Sequence, residues 1–409
     1  MARILFAWEH GTAFGHALSC ASLARALEMN GHTPAFVFRE LQSLAALNEC
    51  AHYDAFQAPM SLYEGEGAPP PLSFADILLG CGYGDVRTLT GLLEGWIRIL
   101  ERWRPDLVVA DSAPTALVAA RILRIRRATY SNGFALPPRV SPLPAFRRDV
   151  AVDPAALAAS DARALAHVNQ AIAAFRGEPL QALEQLFEAD ETFLCTFPEI
   201  DHYGARPASA YWGPRFKVDA GDDVKWSYGE GRRVLVYVRD VVPQLDALID
   251  ALVANRCRVA AFIPNLDPAR RERLQSAQRI VAQRQMRLAP LLAQCDLFVS
   301  EGGNIATGAL LSGVPQLLFP TQYEQLLTAA RLEQLGSALW VPPGSAPERT
   351  AMALRRMLQE PRFKASAQTF ARRYPGFSPA EQQRRIVLRI DEILARPIIS
   401  PTTRTGTAP

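Results

Sequence analysis

Short apolar runs alternate with stretches of helical period along this chain. ILFAW at 4–8, PAFVF at 34–38 and LVVA at 107–110 are strand-length runs, and each lies next to a segment of helical spacing. Ala17, Cys20, Ala21, Leu23, Ala24 and Leu27 share one face of a helix predicted over 14–29, which Asn30 and Gly31 close as a C-cap. A third strand is expected near 53–58, a helix at 114–124 and a fifth strand at 128–131. Strand and helix in strict alternation predict βαβ units and a parallel sheet, hence a doubly wound first domain.

The pattern restarts after Arg232. Strands are predicted at 234–238, 259–263, 279–282, 296–300, 316–320 and 338–341, with helices at 243–254 and 304–312 among them. Helices at 347–359, 361–373 and 379–395 follow. This divides the chain into a first domain at 1–214, a linker at 215–231 and a second Rossmann-like domain at 232–378. A helix at 379–396 is expected to pack back on the first domain, and 397–409 forms a tail. Two stretches break the alternation: 59–84, rich in Gly and Pro, and 137–154, with Pro137, Pro138 and Pro142, before a helix near 161–175. The fold class is α/β, two doubly wound parallel-sheet domains. Each would bind ligand at the carboxyl ends of its strands, and if those ends face one another the cleft between the domains is the site.

Composition narrows the function classes. The 409 residues are 49% apolar and 21% charged, which excludes disorder and leaves material for two cores. Basic and acidic residues number 44 and 41, too even a balance for a nucleic-acid partner. The six cysteines form no CxxC pair and have no histidine at metal-ligand spacing, so reduced buried thiols are expected. The start, MARILFAWEHG, reads as a first strand and not a signal peptide. No run reaches the ~18 apolar residues of a membrane span, so a cytoplasmic protein is expected, with docking at the membrane surface left open.

Three places hold candidate chemistry. The loop after the first strand contains Gly11, Thr12 and Gly15, which allow close approach to the backbone, and His16 at the start of the following helix. Asp111 ends the strand at 107–110 and is either an N-cap or a functional carboxylate. In a sheet of order 3-2-1-4-5 the first and fourth strands are neighbours, so His16 and Asp111 are predicted to meet. An Asp on one ring nitrogen fixes the tautomer and makes the other nitrogen a better base. In the second domain, the strand at 296–300 runs into Glu301, Gly302, Gly303 and Asn304, where a helix start offers amides to a phosphate. Glu324 and Gln325 lie after the next strand, a carboxylate and an amide suited to sugar hydroxyls.

The segments GHALSCASLARALEMNGH (15–32), PDLVVADSAPTALVAARIL (105–123), YWGP (211–214) and SEGGN through GVPQLLFP to YEQLLTAARLEQLG resemble, in order and spacing, the GT-B glycosyltransferases. The resemblance is to the macrolide, flavonoid and UDP-glucuronosyl transferases, and more distantly to the murein GlcNAc transferases. It implies inverting transfer of a sugar from a nucleoside diphosphate donor (UDP or dTDP), bound by the second domain, to a small-molecule or lipid acceptor. It also implies His16 as base, Asp111 as its partner, Gly302 and Gly303 as the phosphate loop, Glu324 and Gln325 as the sugar grip, and no cofactor or metal.

The chain departs from the family pattern at its donor site. Glu301 stands where the family has a phosphate-contacting His, and its charge repels a diphosphate unless it is protonated or paired. Ala306 replaces a hydroxyl residue for which the adjacent Thr307 is the candidate substitute, and Ala309 replaces the ribose-binding acid. Val238-Arg239-Asp240 replaces a Gly-Ser. Arg239 is either the missing positive charge for the diphosphate or the ion-pair partner of Asp240. Two function classes follow, an active transferase and a catalytically silent homologue that serves another transferase as a helper subunit. An epimerase of the same fold is a third reading for which no acid and base can be placed.

Overall fold

In a computed structural model of the protein, residues 1–11, 14–45, 50–61, 70–146, 151–206, 209–216, 218 and 221–396 are described. The chain forms two units: Met1–Thr196 with Arg206–Gly213 and Ser378–Pro409, and Phe197–Ala205 with Pro214–Phe377.

The first unit begins β1 (Arg3–Trp8), α1 (Phe14–Met29), β2 (Thr33–Phe38), α2 (Gln42–Ala45) and β3 (Asp54–Gln57). It continues α3 (Phe74–Leu78), α4 (Val86–Trp103), β4 (Leu107–Asp111), α5 (Pro114–Ile122), β5 (Arg126–Ser131), α6 (Pro154–Ala174) and β6 (Glu191–Leu194). All its strands are parallel, in the order β3-β2-β1-β4-β5-β6. Strand β1 is flanked by β2 on one side and β4 on the other, and Trp8 lies in register with Asp111. Ile4 to Trp8 are fully buried, as expected of a strand covered by helices on both faces.

The second unit repeats the scheme with β7 (Arg233–Tyr237), α7 (Leu245–Ala254), β8 (Arg258–Phe262), α8 (Pro268–Leu274), β9 (Arg279–Ala282) and α9 (Ala289–Leu292). Then come β10 (Leu297–Ser300), α10 (Asn304–Leu311), β11 (Gln316–Leu318), α11 (Tyr323–Gln334), β12 (Ala338–Trp340), α12 (Pro347–Gln359) and α13 (Pro361–Ala371). Its order, β12-β11-β10-β7-β8-β9, is the same topology read from the other edge. Helix α14 (Pro379–Ala395) belongs to the first unit. There Ile386, Val387, Ile390 and Ile393 join the core behind α1, and Asp391 takes bonds from Asn30 (2.7 Å) and His32 (2.8 Å) at the end of α1.

The structure adds elements to the sequence reading. Helix α4 occupies 86–103, which the predicted strands and helices leave unassigned; its buried Leu89, Leu93, Trp96, Ile97, Leu100 and Trp103 recur at helical spacing, and Asp85 caps it. Helix α6 starts at Pro154, seven residues before the predicted 161, because Asp153 caps it and proline suits the first turn. Within 215–231, read as a linker, the Val218 carbonyl accepts from Leu288 and Ala289, and Trp226 packs on the second core. Polar and glycine-rich composition there conceals a segment fastened to the second unit. Residues 197–205 also sit with that unit, where Phe197 stacks on Tyr374 at 3.9 Å. All six cysteines are free and buried.

Candidate functional site

The switch point of the first sheet lies between β1 and β4, and both predicted residues are there. His16, in the first turn of α1, points Nδ1 at Oδ2 of Asp111, 2.9 Å away. Asp111 is fully buried, and its other oxygen accepts from the Ser131 hydroxyl at the end of β5 (2.8 Å). With both carboxylate oxygens committed, Asp111 can accept only a proton-bearing Nδ1, which leaves the Nε2 lone pair as the basic site. The ring of Trp8 stacks on the imidazole, with centroids 5.1 Å apart and planes at 18°.

Among the described residues His16 Nε2 has no hydrogen-bond partner, and Gly11 leaves it uncovered. It sits at φ +83°, and a Cβ built on it would stand 3.0 Å from His16 Nε2. Any side chain here would cover the nitrogen and strain the backbone. Gly11→Ala is therefore expected to cost about 1 kcal/mol of stability and to lower any turnover that uses Nε2 as a base at least about tenfold by blocking proton transfer. Thermal unfolding and turnover measured on one sample separate the two effects. Gly15 has open space around its Cβ position, so sterics do not require glycine there. Thr12 lies outside the described residues.

Two features of this end were not singled out from the sequence. Ser112 adopts φ +51° directly after Asp111, and its carbonyl accepts the His10 amide at 3.0 Å, tying the β4 loop to the β1 loop. Ser131 completes the Asp111 shell. Both lie at the carboxyl ends of strands, and that position was the only sequence signal for them.

The second sheet presents a matching junction between β7 and β10. Arg239, two residues past β7, binds Glu301, one past β10: its amide donates to Oε1 (2.8 Å) and its Nε to Oε1 (3.0 Å) and Oε2 (2.9 Å), and Nη2 also bonds Oε2. Thr321 joins them, accepting from Arg239 Nη2 at 2.8 Å and donating to Glu301 at 3.0 Å. Burial opposes the charge on Glu301, but the bonds from Arg239 and Thr321 outweigh it and hold its pKa below the usual carboxylate range. The Arg239 guanidinium is correspondingly held above its usual value by Glu301. Arg239 is paired with Glu301 and not with Asp240, the ion-pair partner considered from the sequence. Glu301 is thus paired, one of the two conditions under which its charge is compatible with a neighbouring diphosphate. Among the described residues Arg239 Nη1 makes no hydrogen bond.

Beyond Glu301 the chain turns through Gly302 at φ +96°, where a Cβ would lie 3.1 Å from the Gln325 carbonyl. Gly303 is the N-cap of α10 and no side chain caps that helix; the Ala306 amide turns back to the Gly303 carbonyl (2.8 Å), which leaves the Asn304 amide at the helix start for an anion. Thr307 is buried on α10, as are Ala306 and Ala309. Gln325 uses its side-chain oxygen on the Thr321 amide (2.9 Å), and the single Thr321 hydroxyl proton lies between this oxygen (3.1 Å) and Glu301. The Gln325 amide group is thereby directed to donate. Glu324 lies 3.9 Å from Nε2 of the buried His202, which also meets the Thr328 hydroxyl at 3.1 Å. Among the described residues no group of three or more His, Cys, Asp or Glu is placed to hold a metal ion, and no helix is long and apolar enough to cross a membrane.

Residues 248–386 match the family described as Erythromycin biosynthesis protein CIII-like, C-terminal domain. NDP-glycosyltransferase YjiC of Bacillus subtilis (strain 168) is 43% identical over 53 residues, a stretch that covers 13% of this chain and 14% of that protein. Among solved structures, Spinosyn Forosaminyltransferase SpnP superposes with a TM-score of 0.63 at 20% identity, covering 97% of this chain and 100% of its own. Spinosyn Rhamnosyltransferase SpnG complexed with spinosyn aglycone gives 0.69 at 18% identity, over 94% and 100%. The same enzyme complexed with thymidine diphosphate gives 0.66 at 18%, over 94% and 99%. SnogD from Streptomyces nogalater gives 0.61 at 20%, over 95% and 99%.

Two parallel six-stranded sheets of this order, matched over nearly their whole length, give the chain the GT-B fold of the glycosyltransferases. Residues 248–386 are similar to the EryCIII-like C-terminal domain.

Proposed function

We propose that this chain transfers a sugar, with inversion, from a nucleoside diphosphate donor held by the second unit to a hydroxyl of a small-molecule acceptor. The observation that carries the reading is the His16–Asp111 pair at 2.9 Å, with Gly11 beside Nε2 adding no side chain to cover it. The acceptor hydroxyl gives its proton to Nε2 while its oxygen bonds the anomeric carbon, and the bond from that carbon to the diphosphate oxygen breaks. Asp111 stabilises the imidazolium that forms. Attack opposite the leaving group inverts the anomeric centre.

The diphosphate would be received by the open amides of α10 at Gly303 and Asn304 and by Arg239 Nη1, the groups best placed to meet developing negative charge. Glu324 and the Gln325 amide would hold the sugar, and neither step calls for a metal. A dTDP donor is favoured over UDP because solved relatives of this fold carry thymidine diphosphate. The SpnG complex with an aglycone likewise favours a small molecule over a lipid.

A thermal-shift panel of UDP-, dTDP- and GDP-sugars tests the donor half directly. At a hundredfold excess over Kd a bound donor stabilises by about 2.7 kcal/mol, a readily measured shift. Stabilisation by dTDP-sugars is expected. Failure of every donor to stabilise the protein would replace this reading with the silent homologue.

A further inference from the structure

The buried carboxylate of Glu9 has no part in the reading above, yet it touches the framework of the dyad from both sides. It stands one residue past β1, is 1% exposed, and accepts the amides of Thr115 (3.1 Å) and Ala116 (2.7 Å) in the first turn of α5. That turn follows Asp111 and the positive-φ Ser112. The amides of Glu9 and His10 return the contact to the Ser112 carbonyl, at 3.4 and 3.0 Å. Four bonds thus stitch residues 9–10 to 112–116, and the stitched segments carry Trp8, which stacks on His16, and Asp111, which holds it.

We propose that Glu9 is a positioning residue for the His16–Asp111 dyad, acting through the Thr115 and Ala116 amides to fix the loop on which Asp111 sits. The inference rests on the dyad reading. A buried carboxylate is an expensive way to cap a helix, since an Asp or Ser at the N-cap does the same at the surface. What Glu9 adds is reach: an N-cap binds its own helix, whereas Glu9 binds the end of one strand to the helix after another.

The surroundings give this link a pH dependence. The titratable and charged groups facing Glu9 are His10, with Nε2 3.5 Å away, Arg39, whose Nη1 donates to the Glu9 carbonyl at 3.3 Å, and Cys81 and Tyr83 from the turn after α3. Burial drives His10 down to about 4, Cys81 up to about 11 and Tyr83 well above 10. Burial also raises Glu9 to about 8, against the pull of the α5 amides. Between pH 5 and 10 Glu9 is therefore the group in this cluster whose charge changes. Its ionised form, with two oxygens that only accept, matches two amide donors best, so the dyad is better ordered above that midpoint.

The test compares wild type with Glu9→Gln, which keeps the size but sets an amide N–H against a backbone N–H. Expected results are a fall in kcat of about tenfold with dTDP affinity unchanged, and loss of a rise in rate through pH 8 that the wild type shows. A third readout needs no turnover. In protein labelled with 15N-histidine, the His16 ring signals should shift in the variant and, in the wild type, follow a second ionisation near pH 8 besides their own. Glu9→Asp, which retains the charge but is too short to span both amides, should fall between the two. Identical His16 signals and pH profiles in wild type and Glu9→Gln would overturn the proposal. If no donor and acceptor pair gives turnover, the transferase reading fails, and the histidine signals still decide Glu9; should Glu9→Gln not fold, the wild-type titration decides it alone.

Discussion

His16→Ala is expected to abolish measurable sugar transfer while dTDP binding measured by calorimetry stays within twofold of wild type. The base contributes on the order of 10²–10⁴ to the rate in general acid–base catalysis, and here the loss should lie at the upper end because the buried Asp111 holds the imidazole by Nδ1 at 2.9 Å. Asp111→Asn tests the partner. It keeps the shape but presents an amide N–H or a weaker acceptor to Nδ1, so the tautomer is lost and the rate should fall nearly as far. Turnover of His16→Ala at the wild-type rate would remove the dyad from the mechanism altogether, while loss of dTDP binding in the same variant would mean that the substitution disturbs more than proton transfer.

The second large effect is expected at the donor site, and it has two signs. Arg239→Ala should weaken dTDP binding about tenfold or more, the worth of one charge-assisted hydrogen bond. It should also destabilise the protein, because it leaves Glu301 buried without its partner. Breaking a buried pair costs about 3–5 kcal/mol, and the partial exposure of the Arg239 side chain, 43%, discounts this to about 1–3 kcal/mol. Glu301→Gln keeps an acceptor for the guanidinium and removes a negative charge from beside the diphosphate, so dTDP affinity should hold or rise. If affinity instead falls with Glu301→Gln, the carboxylate is an asset to the site and the repulsion argument is wrong. If Arg239→Ala binds dTDP as wild type does, the ion pair is purely structural.

These expectations show how unevenly the sequence spoke. The parallel sheets were legible because βαβ units leave a pattern that needs no long-range knowledge: apolar runs of strand length separated by segments of helical period. Helix α4 shows the limit. Its apolar positions carry a clear helical period, yet it lies beside the glycine- and proline-rich stretch at 59–84, whose irregularity masks the boundary that Asp85 sets. The segment 215–231 shows the opposite error. Glycine and charge look like a linker, whereas backbone bonds from Val218 and Asp222 to residues 285–289 fasten it.

At the sites, the sequence placed His16 and Asp111 together because sheet order makes their strands neighbours, and strand order is a consequence of local handedness and short connections. It located Arg239 and Glu301 at the corresponding ends of the second sheet but considered Asp240 and not Glu301 as the ion-pair partner of Arg239, since a neighbour in sequence is visible and a neighbour across a switch point is not. Glu9, Ser112, Ser131 and Thr321 matter only through bonds to residues at least 20 positions away or through a backbone angle. The sequence by itself thus determined the two doubly wound halves and the strand ends where chemistry gathers. Only the tertiary structure decided which side chains at those ends are bonded, which charges cancel and which nitrogen is left bare, because side-chain pairing depends on distances between strands that no local pattern records.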